Sequence, residues 1–300
     1  MELRQLKYFV KVSELLNFSE AAKQLCITQS TLSQQIKQLE AELNVQLFQR
    51  DSHKVILTEA GEELFGPARK TLNDATSCID RLHDLQQLQI GVLNVGVTYT
   101  FSPILTETVL TFMKSYPGIR LNIHYKSMEE LMDMLERHEV DFVLSFKPTR
   151  HYDHIESHIL FDNHLVVVTN EHHPLANSQK VTLSQLCQYD MALPAKGLQA
   201  RNAFDSFIEH TDYKFRIRIE LNEVNILAEL VKDSNLVTIL AEAAIHNTPM
   251  LKAIPLDVPG NHMVGCVHIL KDSYRKASSL EFVRILSESN SIRKQINYWL

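Results

Sequence analysis

The sequence predicts a mainly helical N-terminal module of winged helix-turn-helix type, then a long connecting helix, then a C-terminal α/β half of two lobes. Three observations predict this. Phe18 to Glu40, FSEAAKQLCITQSTLSQQIKQLE, reads as two short helices joined by a tight turn. From Glu59 to about Leu88, apolar residues keep to helical spacing. Beyond Gly91, strand-like and helix-like segments alternate in β-α-β-α-β order.

In the first of the paired helices Ser19 is placed to cap the start, and Glu20 suits its positive end. Ala21, Ala22 and Leu25 recur at helical spacing, and the alanines let another helix approach closely. Cys26-Ile27-Thr28 interrupts the pattern, and Thr28 caps the second helix. There Leu32, Ile36, Leu39 and Leu43 form one apolar stripe. The other face carries Gln29, Ser30, Thr31, Ser33, Gln34, Lys37 and Gln38. Such side chains hydrogen-bond base edges and phosphates without needing burial. A helix-turn-helix sets its second helix in the major groove, N-terminal residues nearest the bases. An ordinary helical hairpin with a solvated face fits this patterning equally well, so the next segment decides. Leu47-Phe48-Gln49-Arg50 and Val55-Ile56-Leu57 read as short strands around the polar turn Asp51-Ser52-His53-Lys54. A hairpin directly after a helix-turn-helix is a wing, with Arg50 and Lys54 as phosphate contacts. Thr58 then caps a helix beginning Glu59-Ala60-Gly61.

At this point the chain resembles the LysR-type transcriptional regulators. The residues that carry the resemblance are LRQLKYFVKV, the FSEAAKQLCITQSTLSQQIKQLE core, and LFQRDSHKVILTEAG across the wing. It extends through nearly the whole chain and weakens after residue 90. It implies a winged helix-turn-helix, a dimerising linker helix, and a sensor domain shaped like a periplasmic binding protein. The expected divisions are 1–58 for DNA binding, 59–90 for the linker helix and 91–300 for the sensor. Within the sensor, lobe I covers about 91–161 and 268–300, and lobe II about 162–267.

Composition permits this reading without suggesting it. Three hundred residues suit two or more domains. A formal charge of -6 argues against a protein that coats nucleic acid by bulk charge. Even the first 66 residues carry seven Lys and Arg against nine Asp and Glu. DNA contact must therefore rest on local placement of Lys37, Arg50, Lys54, backbone N–H groups and the polar face. A plain architectural DNA-binding protein should be basic and would not need two α/β lobes. No apolar run approaches the ~20 residues of a membrane helix, and no signal peptide precedes the first helix, so a cytoplasmic product with no membrane partner is expected. Cys26, Cys78, Cys187 and Cys266 are scattered without a CxxC pair, which fits buried free thiols in a reducing compartment. Thiol-based redox sensing is the sharper alternative. Peroxide-sensing relatives carry a cysteine pair just after a strand ending near the effector cleft. The comparable stretch here, Leu193-Pro194-Ala195-Lys196-Gly197-Leu198, has none.

In the long helix Leu64, Ala68, Leu72, Ala75, Ile79, Leu82 and Leu85 form a coiled-coil-like seam. Gly66-Pro67 should kink or loosen it. The bland alternative is a helix packed on its own domain. A small N-terminal module offers too little surface to cover the seam, so a homodimer through this helix is expected, and from it a homotetramer. Two-fold pairing sets two recognition helices on one face of the DNA.

Gln89-Ile90-Gly91 reads as a hinge. Strands then fall at Leu93–Val97, Leu121–Tyr125 and Phe142–Phe146, with helices between them at Phe101–Tyr116 and Glu129–His138. A second such unit begins near His164-Leu165-Val166-Val167-Val168. This order predicts parallel sheets with right-handed crossovers, and a double crossover between lobes fits the binding-protein shape. Ligands of open parallel sheets bind beyond the carboxyl ends of strands. That rule selects Thr98, Tyr99, Thr100 and Ser102, then Ser127 and Met128, then Ala195, Lys196 and Gly197, and finally Asn222 and Asn225. Free N–H groups at helix starts, with hydroxyls and Lys196, make an anion site. Ser, Thr and Asn are also ordinary helix caps. Many relatives have Gly-Thr or Gly-Ser where Ser127-Met128 stands. Within the family the sensor half is most similar to the cyanate-responsive regulators, on VTYTF, on SMEELMDMLERHEVD from Ser127 to Asp141, and on EHHPLA from Glu171 to Ala176. Sensor domains change ligand through a few side chains, so this points to a subgroup and not to a ligand.

Fourteen histidines invite a metal reading, tightest at His151, His154 and His158. Those three fall on a loop running into a strand, so solvated histidines and no metal are expected. No motif for hydrolysis, nucleotide binding or hydride transfer occurs, so no cofactor is expected. An α/β enzyme with an accessory helix-turn-helix is the rival from another class. The function expected is a LysR-type regulator, not an enzyme, that binds double-stranded promoter DNA as a dimer of dimers. A small, anionic metabolite in the sensor cleft would change the spacing of the DNA-binding pairs, operator bend and access of RNA polymerase.

Overall fold

The computed structural model describes residues 1–51, 54–84, 90–245, 248–271, 273–289 and 292. The chain divides into two compact units, Met1–Leu82 and His83–Leu300.

The first unit opens with α1 (Leu3–Leu15), α2 (Phe18–Gln24) and α3 (Gln29–Leu43). The cap of α2 is Asn17, not Ser19: its side chain accepts from Ser19 N and Glu20 N. Both residues suit an N-cap, but starting at Phe18 turns that ring inward, onto Phe48 at 5.5 Å between centroids. Thr28 caps α3, accepting from Thr31 N at 3.1 Å. Leu32, Ile36 and Leu39 are fully buried against Phe9, Val12, Ala21 and Ala22. The wing is β1 (Phe48–Asp51) and β2 (Lys54–Leu57), antiparallel with Asp51 opposite Lys54. Ser52 and His53 of its turn lie outside the described residues.

The long helix, α4 (Glu59–Asp84), runs unbroken through Pro67. Pro67 removes one i→i−4 bond but no more, since the helix continues on both sides. The predicted seam divides in two. Ala68 is buried in the core of its own module, and Leu64 and Leu72 pack on that core. Only beyond them does the stripe stay uncovered, with Ile79 at 55% and Leu82 at 62% exposure. Leu85 and Gln89 lie outside the described residues. Among the described residues no helix is long and apolar enough to cross a membrane.

The second unit carries two sheets of matching plan. Its elements are β3 (Gly91–Val97), α5 (Ser102–Ser115), β4 (Ile119–Tyr125), α6 (Met128–Glu136), β5 (Phe142–Phe146) and β6 (Ile155–Asn163). There follow β7 (Leu165–Asn170), α7 (Leu183–Leu186), β8 (Asp190–Pro194), α8 (Gln199–Ile208), β9 (Arg216–Leu221) and α9 (Val224–Lys232). Last come β10 (Thr238–Ala241), β11 (Leu251–Pro255), β12 (Met263–Leu270) and α10 (Ala277–Glu288). Lobe I holds the order β4-β3-β5-β12-β6, and lobe II holds β8-β9 beside β10-β7-β11, the two groups joined by a bridge from Met191 to Val237.

The sheets are mixed, where the alternation predicts parallel ones. β3 is parallel to β4 and β5, but β12 runs antiparallel to β5 and β6, and β7 antiparallel to β10 and β11. A parallel neighbour needs a crossover of about a dozen residues or more. Between β6 and β7 there is only His164, so the chain passes into the second sheet from the opposite end. The two crossing strands are stapled by Asn261, whose Oδ1 accepts from Leu165 N at 2.8 Å and whose Nδ2 donates to Leu165 O and Leu256 O. Phenylalanines fill lobe I, with Phe112 and Phe142 packed on Phe282 of α10. This plan brings the residues after β3, the end of β5 and the start of α6 in lobe I against lobe II, where α8 begins.

Candidate nucleic-acid interface and effector cleft

Burial of the Leu32-Ile36-Leu39 stripe fixes the rotation of α3, and rotation fixes what faces outward. Gln29, Ser30, Thr31, Gln34, Lys37 and Gln38 are exposed, and Ser33 is half-buried. They are not equally free. Thr28 Oγ1 lies 2.9 Å from Ser30 Oγ and 2.8 Å from Thr31 Oγ1, so these hydroxyls serve the helix start. Gln29 Oε1 accepts from Ser19 Oγ at 3.0 Å, tying α3 to α2. Gln34 and Lys37 have no hydrogen bond or ion pair among the described residues, which leaves their donors and acceptors for a ligand. Lys54 is exposed at the tip-side end of β2. Arg50 belongs to β1, and its side chain lies outside the described residues. Glu40 was not singled out by sequence reasoning. Its carboxylate accepts from Leu47 N at 2.8 Å and Phe48 N at 3.3 Å, which sets the wing's first strand relative to the end of α3.

In the second unit the residues predicted to line the cleft separate into two groups. The first serves the helix starts. Thr98 Oγ1 donates to Leu144 O, and Ser102 Oγ to Tyr99 O at 2.6 Å. Ser127 and Glu130 form a capping box on α6, the serine donating from both N–H and Oγ. Lys126 first, then Ser127, hold the Glu130 carboxyl down to about 2. Ala195 N donates to Leu221 O, and Gly197 N to Asn202 Oδ1, in the turn before α8. Lys196 and Asn222 are exposed. Asn225 is exposed and donates to Glu223, which is the residue that caps α9.

The second group converges. Tyr99, in the 3-10 turn after β3, packs on the lobe II cluster of Val166, Val168, Ala192, Val224 and Leu227. Its Oη and Thr100 Oγ1 are both buried without a hydrogen-bond partner among the described residues. Burial raises the Tyr99 phenol well above its ordinary value. Thr100 and the Ala200 backbone act in the other direction. Ala200 is the second residue of α8, so its N–H is one of the donors that a helix start leaves unused. Beside it Gln199 reaches across to lobe I, where its Nε2 donates to Phe146 O at 3.0 Å and sits 2.9 Å from Met128 Sδ. Gln199 is the second residue that the sequence alone did not disclose. Arg201 holds α8 in place: only 4% of its side chain is exposed, and it donates to Asp205, Glu220 and Pro194 O. A buried guanidinium so fully paired leaves α8 little freedom to slide.

Two other readings can be placed. Cys26 and Cys78 are exposed, Cys187 is partly buried and Cys266 buried, and all four are free thiols. Burial pushes the Cys266 thiol up to about 11, the opposite of a reactive thiolate. Of the clustered histidines, His151 stands beside Asp153 and His158 beside Glu156, both largely in solvent.

Residues 3–62 match the family described as "Bacterial regulatory helix-turn-helix protein, lysR family", and residues 86–291 match "LysR substrate binding domain". The chain is 33% identical over 254 residues to the HTH-type transcriptional regulator EstR of Acinetobacter baylyi, covering 83% of this chain and 82% of that one. It is 27% identical over 261 residues to the RuBisCO operon transcriptional regulator of Allochromatium vinosum, with 87% and 86% covered. Its fold matches a full-length OxyR variant from Pseudomonas aeruginosa with a TM-score of 0.70 at 23% identity, over 98% of this chain and 95% of that one. The helix-turn-helix, the wing and the two lobes are those of a regulator with a DNA-binding and an effector-binding domain, and the chain belongs to the LysR family of bacterial transcriptional regulators.

Proposed function

We propose that α3 reads promoter DNA in the major groove, with Gln34 on base edges and Ser33 and Lys37 beside it. The observation that carries this is the outward, unpaired face of Gln34 and Lys37 opposite a fully buried stripe. Gln29, Ser30 and Thr31 at the helix start, with Arg50 and Lys54 on the wing, meet the phosphates. The DNA-binding part is 1–58 and the linker helix 59–90, with the sensor at 91–300. Chains pair through the exposed end of α4, and two pairs make a homotetramer in the cytoplasm whose geometry governs access of RNA polymerase. The expected result for Gln34→Ala is relaxed sequence preference, since glutamine pairs two-fold with adenine at roughly 1–3 kcal/mol. Lys54→Ala should weaken all sequences alike and flatten the salt dependence. Binding titrations on operator and scrambled DNA separate the two. Unchanged discrimination by Gln34→Ala would remove it from the base-reading set.

The effector is a small molecule with an anionic or acceptor end, held by Tyr99, Thr100 and the α8 start, with Ser102, Ser127, Met128 and Lys196 around it. A buried hydroxyl without a partner costs stability until something bonds to it, and Thr100 is in that condition. Thr100→Val keeps the shape and deletes the hydroxyl. The unliganded protein should therefore be as stable as the parent or more so, while the effector response is lost and operator binding is kept. A genome-wide binding map of the protein names the target pathways, and a thermal-shift screen of their metabolites, run on both proteins, checks this. A best hit that stabilises both equally takes Thr100 out of the site.

A further inference from the structure

Strand β5 outruns its neighbour. β3 pairs with β5 from Val95 opposite Phe142 to Val97 opposite Leu144, and Thr98 N closes the ladder on Leu144 O. Side and direction alternate along a strand, so Phe146 turns its N–H and C=O to the same side as Leu144. Lys147 N, one residue on, donates to Val264 O of β12 on the opposite side, as that alternation requires. Phe146 thus presents an open ladder position in the cleft, where β3 has already turned away into Tyr99. A bare ladder position is a template for any group with one donor and one acceptor side by side.

Gln199 of the other lobe fills it. Phe146 N donates to Gln199 Oε1 at 3.2 Å and Gln199 Nε2 donates to Phe146 O at 3.0 Å. The pairing defines the orientation of the amide, because the flipped form would set donor against donor. The side-chain amide acts as one peptide unit of a missing strand, and it joins the lobes at the site described above. We propose that Gln199 is a built-in occupant of the cleft, and that the effector displacing it carries a carbamoyl-type group, a primary carboxamide or a urea, that makes the same two bonds to Phe146. This rests on the reading of the cleft as the effector site. A simple carboxylate has no donor for Phe146 O and would bring negative charge to a carbonyl oxygen, so at this position it is excluded by the same geometry.

Amide hydrogen exchange of the full-length protein, read at Phe146, tests the proposal. Gln199→Ala empties the position, and Gln199→Met keeps the bulk of the side chain while deleting the pair of bonding groups. In both, the Phe146 amide should exchange at least tenfold faster than in the parent, with Leu144 unchanged. Acetamide or urea, below denaturing concentration, should restore protection in Gln199→Ala, and sodium acetate at equal concentration should not. Unchanged protection in both variants overturns the occupancy of the cleft by Gln199. Protection by acetate equal to that by acetamide overturns the assigned ligand class. The broader reading of the cleft is tested separately by Thr100→Val. If that variant loses the effector response while Phe146 ignores Gln199, the cleft stands without this latch. If Phe146 follows Gln199 and acetamide while Thr100→Val responds normally, the latch and its ligand class stand and Thr100 leaves the site.

Discussion

Replacing Gly61 by alanine is expected to unfold the DNA-binding module. A Cβ at Gly61 would overlap the Leu47 carbonyl oxygen and lie 2.8 Å from Leu57 Cδ2. The obstacle is backbone, so no side-chain rotation relieves it. That carbonyl accepts from Thr58 N at 3.0 Å, and Gly61 N itself donates to Thr58 Oγ1 at 3.1 Å. Moving Leu47 aside therefore loosens the helix start and the register of Phe48 opposite Leu57 together. Overpacking of this kind costs ~1–3 kcal/mol where side chains can give, and more where they cannot. A module of this size has little stability to spare. The control is five residues along the same helix. Gly66 has nothing within 4 Å of its Cβ position, so Gly66→Ala should stabilise by about 0.5–1 kcal/mol. Denaturant unfolding followed by circular dichroism should show the two substitutions moving in opposite directions. Operator binding should vanish in Gly61→Ala alone. Equal stabilities would mean that Leu47 and α4 separate at no cost.

What was legible in the sequence was what neighbouring residues decide among themselves. The helical stripe of Leu32, Ile36 and Leu39 carries its own orientation, so the outward face of α3 followed from spacing alone. Thr28 and Thr58 cap the helices that follow them, as their places in the sequence predict. Ser19 did not, because Asn17 two residues earlier is an equally good cap and the burial of Phe18 decides between them. Strand β11, LKAIP, went unseen: it is short, alternates poorly, ends in proline and lies at a sheet edge, where pairing to β7 alone defines it. The cleft was least legible. Hydroxyls at helix starts look alike in sequence, whether they cap, as Ser127 does, or stay unpaired, as Thr100 does. Gln199 has meaning only because β5 extends past β3, a matter of register between strands that no local pattern records.

The division of the α4 seam leads to the second large effect. Leu64 and Leu72 are already engaged by their own module, so the surface available for a partner begins with Ala75 and is dominated by Ile79 and Leu82. Two side chains of this size, more than half exposed on neighbouring turns of one helix, make a narrow apolar stripe that is open among the described residues. Ile79→Asp places a charge in that stripe. In a paired helix the carboxylate would be buried without a partner, at a cost of several kcal/mol, so the helices should part. Sedimentation velocity should then show a smaller species, with the thermal stability of each unit unchanged. Loss of pairing also uncouples the two recognition helices. Joint binding of two half-sites gains about 10²–10⁴ over either alone, and operator affinity should fall by that order. Leu64→Asp is the contrasting variant, since it buries charge inside the module and should reduce stability first. If Ile79→Asp keeps its native sedimentation and operator affinity, the exposed stripe is not the pairing surface and the two-fold axis must lie elsewhere on the chain.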